Sequence, residues 1–127
     1  MRLTISAGLI AFVGVVAVVS GLLLLLWPRR AAGTLGVTLA DATTENYARF
    51  SGVRNAAMGA LLLGVAIVAW RTGALNRADA GGLAFAWAVV QGTDSIIFVR
   101  VGSRSGMITA AALALLSLTA GALAWAG

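Results

Sequence analysis

The sequence predicts an all-α polytopic membrane protein, four transmembrane helices packed as an antiparallel bundle. Three observations carry this. Hydrophobic residues make up 61% of the 127-residue chain and charged residues 10%, against roughly 45–50% and roughly 25% in soluble domains. The mean hydropathy is +0.99. Most charges also punctuate apolar runs rather than interrupt them. A soluble fold of this composition lacks the polar surface to cover itself, whereas a bilayer is an apolar solvent for the outside. The chain reads as a single membrane domain, residues 1–127, with helices at about 3–27, 42–71, 80–100 and 107–125.

The first span carries no charge between Leu3 and Trp27. About 20 apolar residues cross the hydrocarbon core, so this run is long enough to cross with tilt. Arg2 ahead of an apolar run is also how a signal peptide begins. A signal h-region, however, runs to only about 7–15 residues, and this run is longer and stops at "WPRR". A retained helix is therefore expected. The connection "AAGTLGVTLAD", residues 31–41, is rich in Gly and Thr and predicts an irregular or interfacial segment.

The second span starts near Ala42. Asp41, Thr43 and Thr44 are N-cap candidates, Glu45 suits a first turn, and Gly73 suits the residue just past the end. At 1.5 Å per residue, residues 42–71 extend about 45 Å. That exceeds a core of about 30 Å, so this helix should overrun the membrane at its N-terminal end. Short connections on either side of the third span predict that spans two, three and four are antiparallel neighbours.

Small residues recur every four positions: Gly52, Ala56, Ala60 and Gly64; then Ala80, Ala84, Ala88 and Gly92; then Gly106, Ala110 and Ala114. Helices in lipid associate by close van der Waals packing, so these stripes are expected to face other helices. Trp27, Trp70 and Trp125 fall at span ends, as anchors at the membrane interface do. Arg2, Arg71 and Arg77 lie on the side of the termini. Arg29, Arg30, Arg49, Arg54, Arg100 and Arg104 lie on the other. The positive-inside rule then predicts a multi-pass protein of the cell membrane with both termini on the non-cytoplasmic side.

Composition also excludes chemistries. There is no cysteine, hence no disulfide framework, thiolate metal site or cysteine nucleophile. There is no histidine, which removes the commonest general base and metal ligand. Every basic residue is arginine, so Schiff-base chemistry and a P-loop lysine are out. No Walker motif, glycine-rich nucleotide loop or metal-ligand spacing is present, and neither cofactor nor metal is expected. The net charge of +5 sits at the ends of apolar runs, where it marks topology rather than a nucleic-acid surface.

One stretch breaks the pattern. Residues 89–100 read "VVQGTDSIIFVR", with Asp94 inside an otherwise apolar run. At 100° per residue, Trp87, Gln91, Asp94, Ser95 and Phe98 share a helix face. An ionisable residue within a span costs about 2.5–3.5 kcal/mol or more at the centre and normally turns inward to a partner. An antiparallel neighbour brings the start of the second span, "NYARFSGVRNAAMG", beside it, so Arg54 or Asn55 is the expected partner. Asp94 is the candidate catalytic group, as a general acid or base. Glu45, Tyr47, Arg49, Arg54, Asn55, Trp87, Gln91 and Ser95 are the candidate ligand-binding residues. The plainer alternatives are a structural latch at Asp94, arginines snorkelling to headgroups, and a helix-stabilising Glu45–Arg49 pair.

The short motifs "WPRRAAGTLGV", "RFSGVRNAAMGALLLG" and "GTDSIIF" resemble an uncharacterised domain-of-unknown-function family of small four-helix integral membrane proteins. The shared features are a proline and then a glycine after the first helix, here Pro28 and Gly36. An Arg-x-x-Gly-x-Arg motif opens the second helix, here Arg49, Gly52 and Arg54, and an aspartate sits in the third, here Asp94. The family often has an acidic residue after the second arginine. This chain has Asn55, so a role that needs a carboxylate there is unsupported. The resemblance spans roughly residues 25–100; it implies a four-helix membrane fold and supplies no activity.

Three functions compete on these residues. One is binding or conversion of a lipophilic small molecule at the Arg/Asp/Asn constellation. Another is proton-coupled export by a dimer, against which the nearby arginines would repel a cation. The third is a non-catalytic accessory or assembly subunit of a membrane complex. The partners implied are the lipid bilayer, a lipophilic ligand, and a second copy or another membrane protein.

Overall fold

The computed structural model describes residues 2–126, with side chains from residue 4 onward. Met1 and Gly127, which the arginine count assigns to one membrane side, lie outside the described residues. Five α-helices and no strand form among the described residues: α1 (Arg2–Leu26), α2 (Pro28–Thr34), α3 (Ala42–Thr72), α4 (Arg77–Arg100) and α5 (Arg104–Ala126). All but α2 are long and apolar enough to cross a membrane. Their outer faces expose Phe12, Val19, Leu61, Val68, Val89 and Leu115. Apolar surface on that scale belongs in lipid, and the chain reads as a multi-pass membrane protein.

Local chemistry explains the boundaries. Asp41 caps α3: its Oδ1 accepts the Thr44 N–H at 2.8 Å, and its own N–H donates to Thr44 Oγ1 at 3.2 Å. Hydrogen bonding from Thr44 holds the Asp41 carboxyl below its ordinary pKa. Gly73 ends α3 with φ +67°, a left-handed position that glycine adopts without strain. The third span starts at Arg77 rather than near Ala80, because Asn76 caps it by accepting the Asp79 N–H at 3.3 Å. The fourth starts at Arg104 rather than near Met107, where Ser103 Oγ accepts the Gly106 N–H at 3.0 Å. Charged first turns had masked both starts in the hydropathy pattern.

The expected irregular connection divides in two. Pro28 sits at the first helical position of α2, where its missing N–H is harmless. Gly36, at φ +70°, ends the helix, with Val37 N–H on Ala32 O and Gly36 N–H on Gly33 O, both at 3.0 Å. An extended strap, residues 37–40, then runs to α3.

The tightest packing joins α1 to α3, not the sequence neighbours α3 and α4. Glycine makes it possible. A Cβ at Gly52 would meet Gly21 O at 2.6 Å, and one at Gly59 would meet Gly14 O at 2.6 Å. Seven residues up one helix match seven down the other, so the two run in opposite directions. Ala7 and Ala66, both fully buried, lie one heptad further along each helix. The buried residues of α3 are Gly52, Asn55, Gly59, Leu62, Ala66 and Ala69. That alternating three-and-four spacing is the 3.5-residue seam of a coiled coil. It corrects the expected four-residue stripe: Gly52 is in the seam, but Ala60 and Gly64 face outward on the single chain.

A second tight pair is α4 with α5. Gly81 packs under Trp125, and Gly106 packs under Phe98. Trp87, Ile10, Leu62 and Ala120 fill the centre where the two pairs meet. By contrast, α3 and α4 touch over only a short stretch.

Candidate functional site

Where α3 and α4 separate, a cavity of about 480 Å³ opens. It lies at the end of the bundle formed by the C-terminal halves of α1 and α4 and the N-terminal halves of α3 and α5. Most of its wall is hydrocarbon: Leu24 from α1, Ile97 and Phe98 from α4, Ala110 and Leu113 from α5. The strap side contributes Leu35, Val37 and Leu39. These three are half-buried while Gly36, Thr38 and Ala40 between them are exposed. That alternation is the period-two signature of an extended segment with one apolar face.

A polar group interrupts this wall. Arg54 Nη2 donates to Asp94 Oδ2 at 2.8 Å, the pairing expected from the sequence. Arg54 also donates to Asn55 Oδ1, from Nε at 3.3 Å and from Nη2 at 3.2 Å. Asn55 is buried because it occupies the α1–α3 seam, and from there it fixes the guanidinium. Gln91, 5% exposed, lies one turn from Asp94 on the same face and also lines the cavity. Tyr47 stands at the rim, 71% exposed. Of the expected site residues, Tyr47, Arg54, Asn55, Gln91 and Asp94 therefore line one space.

The other four lie elsewhere. Glu45 accepts from Arg29 Nε at 2.9 Å and from Arg49 Nη2 at 3.2 Å. Arg49 Nη1 donates to Leu25 O at 2.7 Å. Leu25 is in the last turn of α1, where carbonyls lack helical partners, and a cation there is doubly favoured. Glu45 and Arg49 thus form a clamp that ties α1, α2 and α3 together. Ser95 faces α5, donating to Met107 O at 3.3 Å. Trp87 is sealed in the core at 1% exposure, and among the described residues its indole N–H has no acceptor.

Sequence reasoning missed the strap and the α5 wall. The alternation in "LGVTLA" was the available signal. The strap is fastened at one end: Ser103 Oγ donates to Leu35 O, and Ser105 Oγ donates to Thr34 O at 3.5 Å. Chemically, the site offers one ion pair, two carboxamides and a phenol against hydrocarbon walls. Among the described residues no group of three or more His, Cys, Asp or Glu side chains could hold a metal ion.

A family model described as a domain of unknown function, DUF4267, matches residues 14–126. Comparison with curated proteins and with solved structures gave no match. The match spans most of the chain, and the protein belongs to the DUF4267 family.

Proposed function

We propose that this DUF4267 member binds a lipophilic small molecule, polar head toward Arg54, Asp94, Asn55 and Gln91 and apolar body against the α4–α5 wall and the strap. One observation carries the reading: a cavity of about 480 Å³ with hydrocarbon walls and one converging polar group. Small-molecule sites are typically about 300–1,000 Å³, mostly apolar, with a few placed polar groups. A latch alone would need Arg54 and Asp94. It would not need Gln91 buried beside them, nor an apolar strap over them.

Binding is favoured over conversion, since Asp94 is already held by Arg54 rather than poised for proton transfer. Proton-coupled cation export is weaker for the same reason: the carboxylate a cation would need is occupied. The arginines at the cavity end support a cytoplasmic position for it in the cell membrane, with the termini outside.

Native mass spectrometry of protein released gently from membranes tests the reading. The expected result is one amphiphile per chain, retained by the wild type and lost in Ser51→Trp, which fills the cavity from α3. Wild-type protein free of any adduct, and unchanged in melting temperature by added membrane lipid, would refute it.

A further inference from the structure

The hydrogen-bonding groups left over in the cavity specify the head of its occupant. A guanidinium has five N–H donors. Three of those on Arg54 are engaged, by Asn55 and Asp94, and both on Nη1 remain. Among the described residues, Asp94 Oδ1 and Asn55 Nδ2 have no protein partner. The Gln91 carboxamide has none among them either, although the residue is only 5% exposed. Its polar atoms are not sealed off, since Trp87 Nε1 alone among the described residues is a buried side-chain N or O without a partner, so the Gln91 carboxamide is open to whatever fills the cavity. The unfilled set therefore contains both donors and acceptors, and its two charges already neutralise each other.

Charge balance then discriminates between heads. An anionic head would take the two open Nη1 N–H groups of Arg54 and set a second negative charge beside Asp94, with one cation between them. A cationic head would draw Asp94 away and strand Arg54. Each leaves an excess charge in a partly desolvated site, where the side chains of Arg54 and Asp94 are 39% and 21% exposed. An uncharged head bearing hydroxyl or carbonyl groups leaves the pair intact and completes Gln91. The cavity is open on one side, so its roughly 480 Å³ holds the head and the first part of the tail while the rest lies in lipid.

Resting on the amphiphile reading above, we propose that the occupant is a lipid with an uncharged, hydroxyl- or carbonyl-bearing head, of the acylglycerol kind. The Arg54–Asp94 pair acts as a charge filter, and Gln91 is the head-group contact.

Three probes with one oleyl tail test this: 1-monooleoylglycerol, oleate and oleylamine, titrated into full-length protein in maltoside detergent. The expected result is one monooleoylglycerol per chain, bound at least tenfold more tightly than the other two. Asp94→Asn frees Arg54 and should invert the preference toward oleate by about tenfold. Gln91→Leu keeps the ion pair, and should weaken monooleoylglycerol about tenfold while leaving oleate unchanged. Should Asp94→Asn fail to fold, Gln91→Leu decides the question alone. Oleate or oleylamine binding as tightly as the neutral lipid overturns the head class and leaves the amphiphile site standing. Failure of all three to bind a folded chain overturns both.

Discussion

α3 has two very different neighbours. Against α1 it presents Gly52 and Gly59, and backbone meets backbone along a heptad seam. Against α4 it presents Arg54, and contact thins to an ion pair beside a cavity. The first interface leaves no room for a methyl group, while the second leaves room for a small molecule. One helix thus serves as a structural weld on one side and the wall of a cavity on the other. In lipid, apolar contact between helices has no hydrophobic driving force, so proximity must come from small residues. Where they are absent, helices can part, provided a polar link holds them.

That contrast can be broken first at the weld. Gly59→Leu should destabilise the fold by about 3 kcal/mol or more, since overpacking against rigid backbone has nowhere to relax. Thermal unfolding in detergent would measure it, and a melting temperature near wild type would dissolve the distinction. Breaking the polar link should cost less. Asp94→Ala strands Arg54, but Arg54 is 39% exposed at its side chain, so solvent and headgroups absorb part of the loss and about 1–3 kcal/mol is expected. Replacing Arg54 and Asp94 together with leucine should restore most of that stability while abolishing lipid retention. A double variant as unstable as the single one would make the pair a latch. Ala60→Leu, on the outward face of α3, should change stability by less than about 0.5 kcal/mol. A large effect there would instead expose a contact with another chain.

The smallest expected effect lies at the start of α3. The Asp41 carboxyl is depressed by Thr44, so its capping contribution is present above the unfolded-state pKa and lost as pH falls through the folded one. The Thr44 amide resonance should follow that titration in acid, and Asp41→Asn should keep the cap and abolish the pH dependence.

Much of this was legible in advance, for identifiable reasons. Composition forces the membrane class. Asp41 and Gly73 mark α3 through local chemistry that tertiary packing does not override. Asp94 had to find a partner, and the short 73–76 connection limited the choice to the start of α3. The weld was legible only in hindsight. Ala7, Gly14 and Gly21 share the heptad of Gly52, Gly59 and Ala66, yet the four-residue spacing of abundant alanines drowned that signal. The long connection also hid the pairing of α1 with α3, because neighbours in sequence were taken as neighbours in space. The division of the arginines was not readable at all. Arg49 and Arg54 sit in one motif, yet one caps a helix end and the other faces a cavity. That depends on where α1 stops.

The chain has no native cysteine, and this permits the most direct test. Ser51→Cys puts a unique thiol on the cavity wall, and Ala60→Cys puts one on the opposite, outward face of α3. N-ethylmaleimide labelling of each would be timed in detergent with and without lipid extracted from the host membrane. The cavity account predicts that lipid slows labelling at Ser51→Cys severalfold and leaves Ala60→Cys unchanged. Equal rates with and without lipid at Ser51→Cys, or equal protection at both positions, would contradict it.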